Sequence, residues 1–155
     1  MSTESEKAIM LMLDVAGWSK SVYDLKIDEA DLPKQVADPH ITILARITEG
    51  DDDYVRKFLD SVDLSMISQA VISNEVSVFE GPDFDVLKLD VLMPKQYLYY
   101  LHSYSKYSFD NKWEFSNYTP HVTAATVRSG AGNKYAGLPF VYANAPITIT
   151  GAIYK

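Results

Sequence analysis

Pro39-His-Ile-Thr-Ile-Leu-Ala45 and Pro120-His-Val-Thr-Ala-Ala-Thr126 are one device written twice, with their histidines 81 residues apart (121 − 40). Each stretch is rich in β-branched or small apolar residues and opens at a proline, which reads as the start of a strand. Side chains alternate across a strand, so His40 and Thr42 share one face while Ile41 and Ile43 take the other. The same holds for His121 and Thr123 against Val122. A given histidine falls into a Pro-His-x-Thr frame by chance roughly three times in a thousand, from average residue usage. Two of the chain's 3 histidines do so, an accident on the order of one in 10⁵. The sequence therefore reads as two similar halves with one motif in each.

The elements around the motifs extend this reading. Residues 8–13 (AIMLML) form a continuous apolar run, read as a strand buried on both faces. In residues 17–33, Trp18, Val22 and Leu25 recur at helical spacing, while Asp28 to Pro33 reads as a loop. His40 to Ile47 is a strand, and residues 51–62, with acids in the first turn and apolar residues at 54, 55, 58, 59 and 62, form an amphipathic helix. Strands over 69–79 and 84–92 flank a turn at 80–83, which makes a hairpin. Residues 94–107 form a helix with Pro94 near its first turn. Strands follow at 121–127 and 147–153, separated by a glycine-rich loop at 130–137 that is expected to be mobile beside the site.

Composition narrows the class. With 155 residues, 47% hydrophobic and 23% charged, the chain is expected to fold as one globular domain over residues 1–155. It has no cysteine, so disulfides, thiolate metal sites and a cysteine nucleophile are excluded. A net charge of −7 argues against gripping long nucleic acid by phosphate neutralisation but leaves room for a small anionic ligand. The opening residues lack a basic segment, and no run reaches the roughly 18 apolar residues of a membrane span. The expectation is a cytoplasmic protein with no membrane partner; oligomeric state is not legible.

Two imidazoles and two hydroxyls converging in one cleft suit phosphoester chemistry. One neutral imidazole takes a proton from an attacking hydroxyl, and a protonated one gives a proton to the leaving oxygen. The threonine hydroxyls donate to non-bridging phosphate oxygens. Asp51 to Asp53 are read as acids complementing a helix dipole, and histidines paired with threonine make a poor zinc set, so no metal or cofactor is expected. Gly130-Ala-Gly132 lacks the Gly-Lys-Ser/Thr ending of a phosphate loop. Trp18, Trp113 and Tyr118 are candidates for stacking a nucleobase at the groove mouth. Arg46, Lys88 and Arg128 are candidate phosphate partners, and His102, among tyrosines, is read as a packing residue.

The paired His-x-Thr strands resemble the two-histidine (2H) phosphoesterase superfamily, which includes the LigT-like cyclic phosphodiesterases. The resemblance covers nearly the whole chain. It implies an α+β fold of two pseudo-twofold related lobes, antiparallel sheets lining a central groove, helices outside, and metal-independent phosphodiester cleavage. It further implies that His40 and His121 are the acid–base pair and that Thr42 and Thr123 bind phosphate. In compact size and acidity the chain also resembles the phage anti-CBASS phosphodiesterases, which degrade cyclic oligonucleotide immune signals in the host cytoplasm. Other branches, acting on RNA ends, 2′,3′-cyclic phosphates or 2′-5′ linkages, keep the same pair. A module that sequesters a nucleotide without cleaving it is the reading from another class.

Overall fold

The computed structural model describes residues 6–48, 52–67, 69–115, 117–140 and 147–155. The expectations at Asp51 and at the first five residues lie outside the described residues. The described residues form eight strands and three α-helices: β1 (Lys7–Asp14), α1 (Trp18–Asp24), β2 (Lys34–Gln35), β3 (His40–Ile47), α2 (Asp52–Ser61), β4 (Gln69–Ile72), β5 (Ser77–Phe79), β6 (Phe84–Met93), α3 (Lys95–Ser108), β7 (His121–Arg128) and β8 (Ile147–Tyr154).

All pairings are antiparallel. In one lobe β1 lies between β3 and β8. In the other, β6 lies between β7 on one side and β4 and β5 on the other, and β2 adds to the far edge of β7. Among the described residues, two short seams join the lobes. One is a single pair, Ile41 with Val122, between the two motif strands. The other joins Gln69 and Ala70 of β4 to Thr148 and Ile147 of β8.

Alternation explains which faces are buried. Ile9, Leu11 and Leu13 of β1 are buried, and so are Leu87, Leu89 and Val91 of β6, alongside Ile41, Ile43 and Val122 of the motif strands. The run at 8–13 is not buried on both faces as its composition suggested: Met10 and Met12 are only half-buried. The expected strand at 69–79 is two strands, both paired with the long β6, with the chain between them turning through Ser73 to Val76. The hairpin between β5 and β6 forms as read.

The helices follow the apolar spacing. Leu98, Leu101, His102 and Ser105 form the buried stripe of α3 at intervals of three and four residues. Helix α1 starts after Gly17, whose φ of 73° lies in the left-handed region that glycine enters without cost. Helix α2 buries Val55 and leans on α3, where Phe58 stacks on Tyr104 at 4.9 Å. Among the described residues, no helix is long and apolar enough to cross a membrane.

Candidate active site

The single Ile41–Val122 pair fixes how the motifs meet. In an antiparallel crossing, the residues on either side of that pair face each other, so His40 stands across from Thr123 and Thr42 across from His121. The flanking registers extend this into two rows on one face. The first runs Met12, His40, Thr123, Lys88, Ser77; the second runs Met10, Thr42, His121, Asp90. Each row holds one histidine and one threonine, taken from opposite lobes. All four motif side chains are half-buried, reachable from solvent yet partly shielded from it.

The duplication reaches into the backbone. Each motif strand carries a bulge one residue after its threonine: β1 passes from pairing Thr42 to pairing Leu44, and β6 from Thr123 to Ala125. The bulge lets two consecutive residues be buried, Ile43-Leu44 in one strand and Ala124-Ala125 in the other. Just past the seam the two strands part, and their carbonyls find other donors. Tyr118 donates its hydroxyl to Thr42 O at 2.8 Å, and His102 donates Nδ1–H to Ile43 O at 2.7 Å. On the other strand the Val36 amide donates to Ala124 O at 2.9 Å, as β2 lies alongside β7.

Both motif imidazoles are held alike. His40 Nδ1 lies 3.0 Å from Asp38 O and His121 Nδ1 lies 2.8 Å from Thr119 O. A carbonyl only accepts, so Nδ1 carries the proton in each ring, and Nε2 is the nitrogen left to exchange protons with a ligand. Burial is the largest influence on His121, and with the nearby positive charges of Lys88 and His40 it holds the imidazole below the ordinary histidine range. The Thr119 carbonyl and Asp90 pull the other way.

The aromatic candidates fall elsewhere. Trp18 is 5% exposed, with its indole N–H donated to Val36 O and its ring edge-on to Phe140. It is a core residue, and the expectation that it lines the groove mouth is corrected. Trp113 and Tyr118 are half-buried around His102, whose ring stacks on Tyr118 at 4.2 Å and tilts against Trp113 at 4.9 Å. They wedge the gap where β3 leaves β7, and burial raises the Tyr118 phenol well above its usual range. His102, read as a packing residue, is the buried centre of this wedge.

The aromatic pair that the sequence reading missed is Phe79 with Phe115, edge-to-face at 5.6 Å and both exposed. Phe79 shares a face with Ser77 and Lys88, two positions along β5, and Phe115 approaches from the segment tied to β3 through Lys112. Alternation along β5 was the available signal, but it needed the hairpin register to be used.

The cationic candidates separate as well. Arg46 is paired with Glu6 and Glu114, and Arg128 with the buried Asp31, while Lys88 stands in the site beside Thr123. The glycine-rich loop is not free. The buried Asp85 carboxylate accepts the amides of Gly130 at 3.1 Å, Gly132 at 2.9 Å and Gly81 at 3.3 Å. A Cβ at Gly132 would stand 2.8 Å from Asp85 Cβ, so close an approach requires glycine.

No protein-family model matches the sequence, and no curated protein matches it. Among solved structures the chain is similar in fold to Usb1 of Kluyveromyces marxianus, at 11% identity and a TM-score of 0.58, over 98% of each chain. The two-lobed α+β architecture expected of a 2H phosphoesterase fold is the architecture seen.

Proposed function

We propose that the chain is a phosphodiesterase of the 2H type, a single two-lobed unit that cleaves 3′-5′ bonds of small cyclic oligoribonucleotides without a metal. The observation that carries this is the matched pair of imidazoles, each with Nδ1–H donated to the carbonyl two residues earlier and Nε2 without a partner among the described residues, set across from the two threonines. His121, kept neutral by burial and by Lys88, takes the proton of the ribose 2′-hydroxyl. That oxygen attacks the adjacent phosphorus, the P–O5′ bond breaks, and protonated His40 gives its Nε2 proton to the leaving 5′-oxygen. A 2′,3′-cyclic phosphate results, which water opens with the roles exchanged. Thr42 and Thr123 donate to the non-bridging oxygens, where charge builds. Phe79 and Phe115 offer exposed rings for a base.

The narrower substrate class, cyclic immune signals of the kind phage enzymes remove to evade CBASS-type defence, rests on the chain's small size and acidic balance. The test is a panel of cyclic di- and trinucleotides, linear RNA ends, 2′,3′-cyclic phosphates and 2′-5′ linked dinucleotides, incubated with excess EDTA and resolved by mass. Cleavage of the cyclic members supports the reading. Cleavage of linear ends or 2′-5′ linkages alone replaces it with an RNA-end enzyme, and binding without cleavage replaces it with a sequestering module.

A further inference from the structure

Lys88 and Asp90 break the symmetry of the site. Around the pseudo-twofold, Met12 beside His40 corresponds to Asp90 beside His121, and Met10 beside Thr42 corresponds to Lys88 beside Thr123. One lobe presents two thioethers to its motif; the other presents an ion pair. The Lys88 side chain is only 12% exposed, ion-paired to Asp90 and donating to Ser77 Oγ at 3.0 Å. An ammonium has three N–H groups, and among the described residues two have partners. Cation and hydroxyl therefore stand side by side, with one N–H of the cation still to be used.

We propose that Lys88 is a third donor to the phosphate of the substrate, positioned by Ser77 and Asp90, so that the anion is drawn toward the lobe carrying β6. This rests on the phosphodiesterase reading above. The lysine's place argues for it over a purely structural ion pair: Lys88 lies in the same row as Thr123 and His40 and one strand away from the reacting centre. Asp90 keeps the ammonium from collapsing onto other acceptors and offsets part of its charge. The groups facing His121 are then Lys88 and Asp90 from β6, His40 from β3 and the Thr119 carbonyl, and Lys88 is the fixed cation among them.

The test uses Lys88→Met, Lys88→Arg and the double variant Lys88→Met/Asp90→Asn, each checked for an unchanged thermal midpoint. Inorganic phosphate is titrated into each and followed by the imidazole proton resonances of His40 and His121, and KM and the pH profile are measured on the cleaved substrate. Loss of a hydrogen bond to a charged group predicts phosphate affinity weaker by about tenfold or more in Lys88→Met, with KM raised in step. Lys88→Arg should recover most of it. The double variant, freed of the Asp90 charge, should lie between. The ascending limb of kcat/KM should move to higher pH in Lys88→Met, because the cation that lowers His121 is gone. Unchanged phosphate affinity, KM and pH limb in Lys88→Met overturn the proposal while leaving the histidines in place. If the wild type cleaves nothing, the phosphodiesterase reading falls, and the phosphate titration still decides Lys88. Should Lys88→Met unfold, Lys88→Gln takes its place with the same expectations.

Discussion

Strands β3 and β7 agree in backbone and differ in the side chains that their neighbours set beside them. Their first six residues share one order of burial, half-buried then buried in the same sequence, and one bulge at the same place. Each histidine is oriented by the carbonyl two residues before it. Their neighbours diverge: Met10 and Met12 lie against β3, Lys88 and Asp90 against β7. The carbonyl freed at each bulge is met by a side chain, His102, in one case and by a backbone amide, Val36, in the other. A duplicated backbone thus holds two like imidazoles in unlike electrical surroundings. General acid–base catalysis needs that inequality, since one ring must begin neutral and the other charged.

The comparison breaks most sharply at the histidines. His40→Ala and His121→Ala should each lower kcat by about 10²–10⁴-fold with the fold retained, measured by single-turnover cleavage and circular dichroism; a loss below tenfold in both would remove them as the pair. The next effect is on stability. His102→Leu leaves the buried Ile43 carbonyl without its donor, a cost of about 1–3 kcal/mol to be read from denaturant midpoints, whereas a surface change such as Tyr107→Ser should stay within about 0.5 kcal/mol. Thr42→Val and Thr123→Val each remove one donor to a charged group, expected to cost roughly ten- to a hundredfold in kcat/KM. If Lys88 assists Thr123, the Thr123 loss should be the smaller, and equal losses would restore symmetry to the phosphate site.

The smallest effects are in pH. With His121 as base, the ascending limb of kcat/KM should fall below the ordinary histidine value of 6.5, and a limb above it would exchange the two roles. Stability has the same sign. His102 and His121 both have folded values depressed mainly by burial, so the unfolded chain takes up protons first as pH falls. Unfolding midpoints should decline as pH drops below about 6.5 and level off once the folded groups also protonate. The decline should be shallower in His102→Leu.

Much of this was legible from residue order. The duplicated His-x-Thr opens strands β3 and β7 within a residue of the expected limits, because apolar, β-branched runs opened by proline carry a strong local signal. The helical stripe of α3 was legible for the same reason. What failed needed partners distant in sequence. Trp18 and Phe79 are alike in sequence as aromatics near turns, yet one is under Phe140 and the other in the open, and only the packing of remote segments decides that. The glycine-rich loop looked free because nothing nearby announces that Asp85, 47 residues before Gly132, will occupy its amides. Lys88 and Asp90 alternate on β6 in plain sight, but their bearing on Thr123 and His121 depends on register.

The single-pair seam at Ile41 and Val122 has a mechanical consequence. Any rotation of one lobe against the other would have to turn about this pair and the β4–β8 seam together, and displacement under rotation grows with distance from that line. The histidines sit next to the axis, while Phe79 and Phe115 touch farther along the chain on either side. A swing wide enough to part those two rings would therefore carry His40 and His121 through only a small arc. The gap between the rings would widen while the spacing of the two imidazoles stays nearly constant.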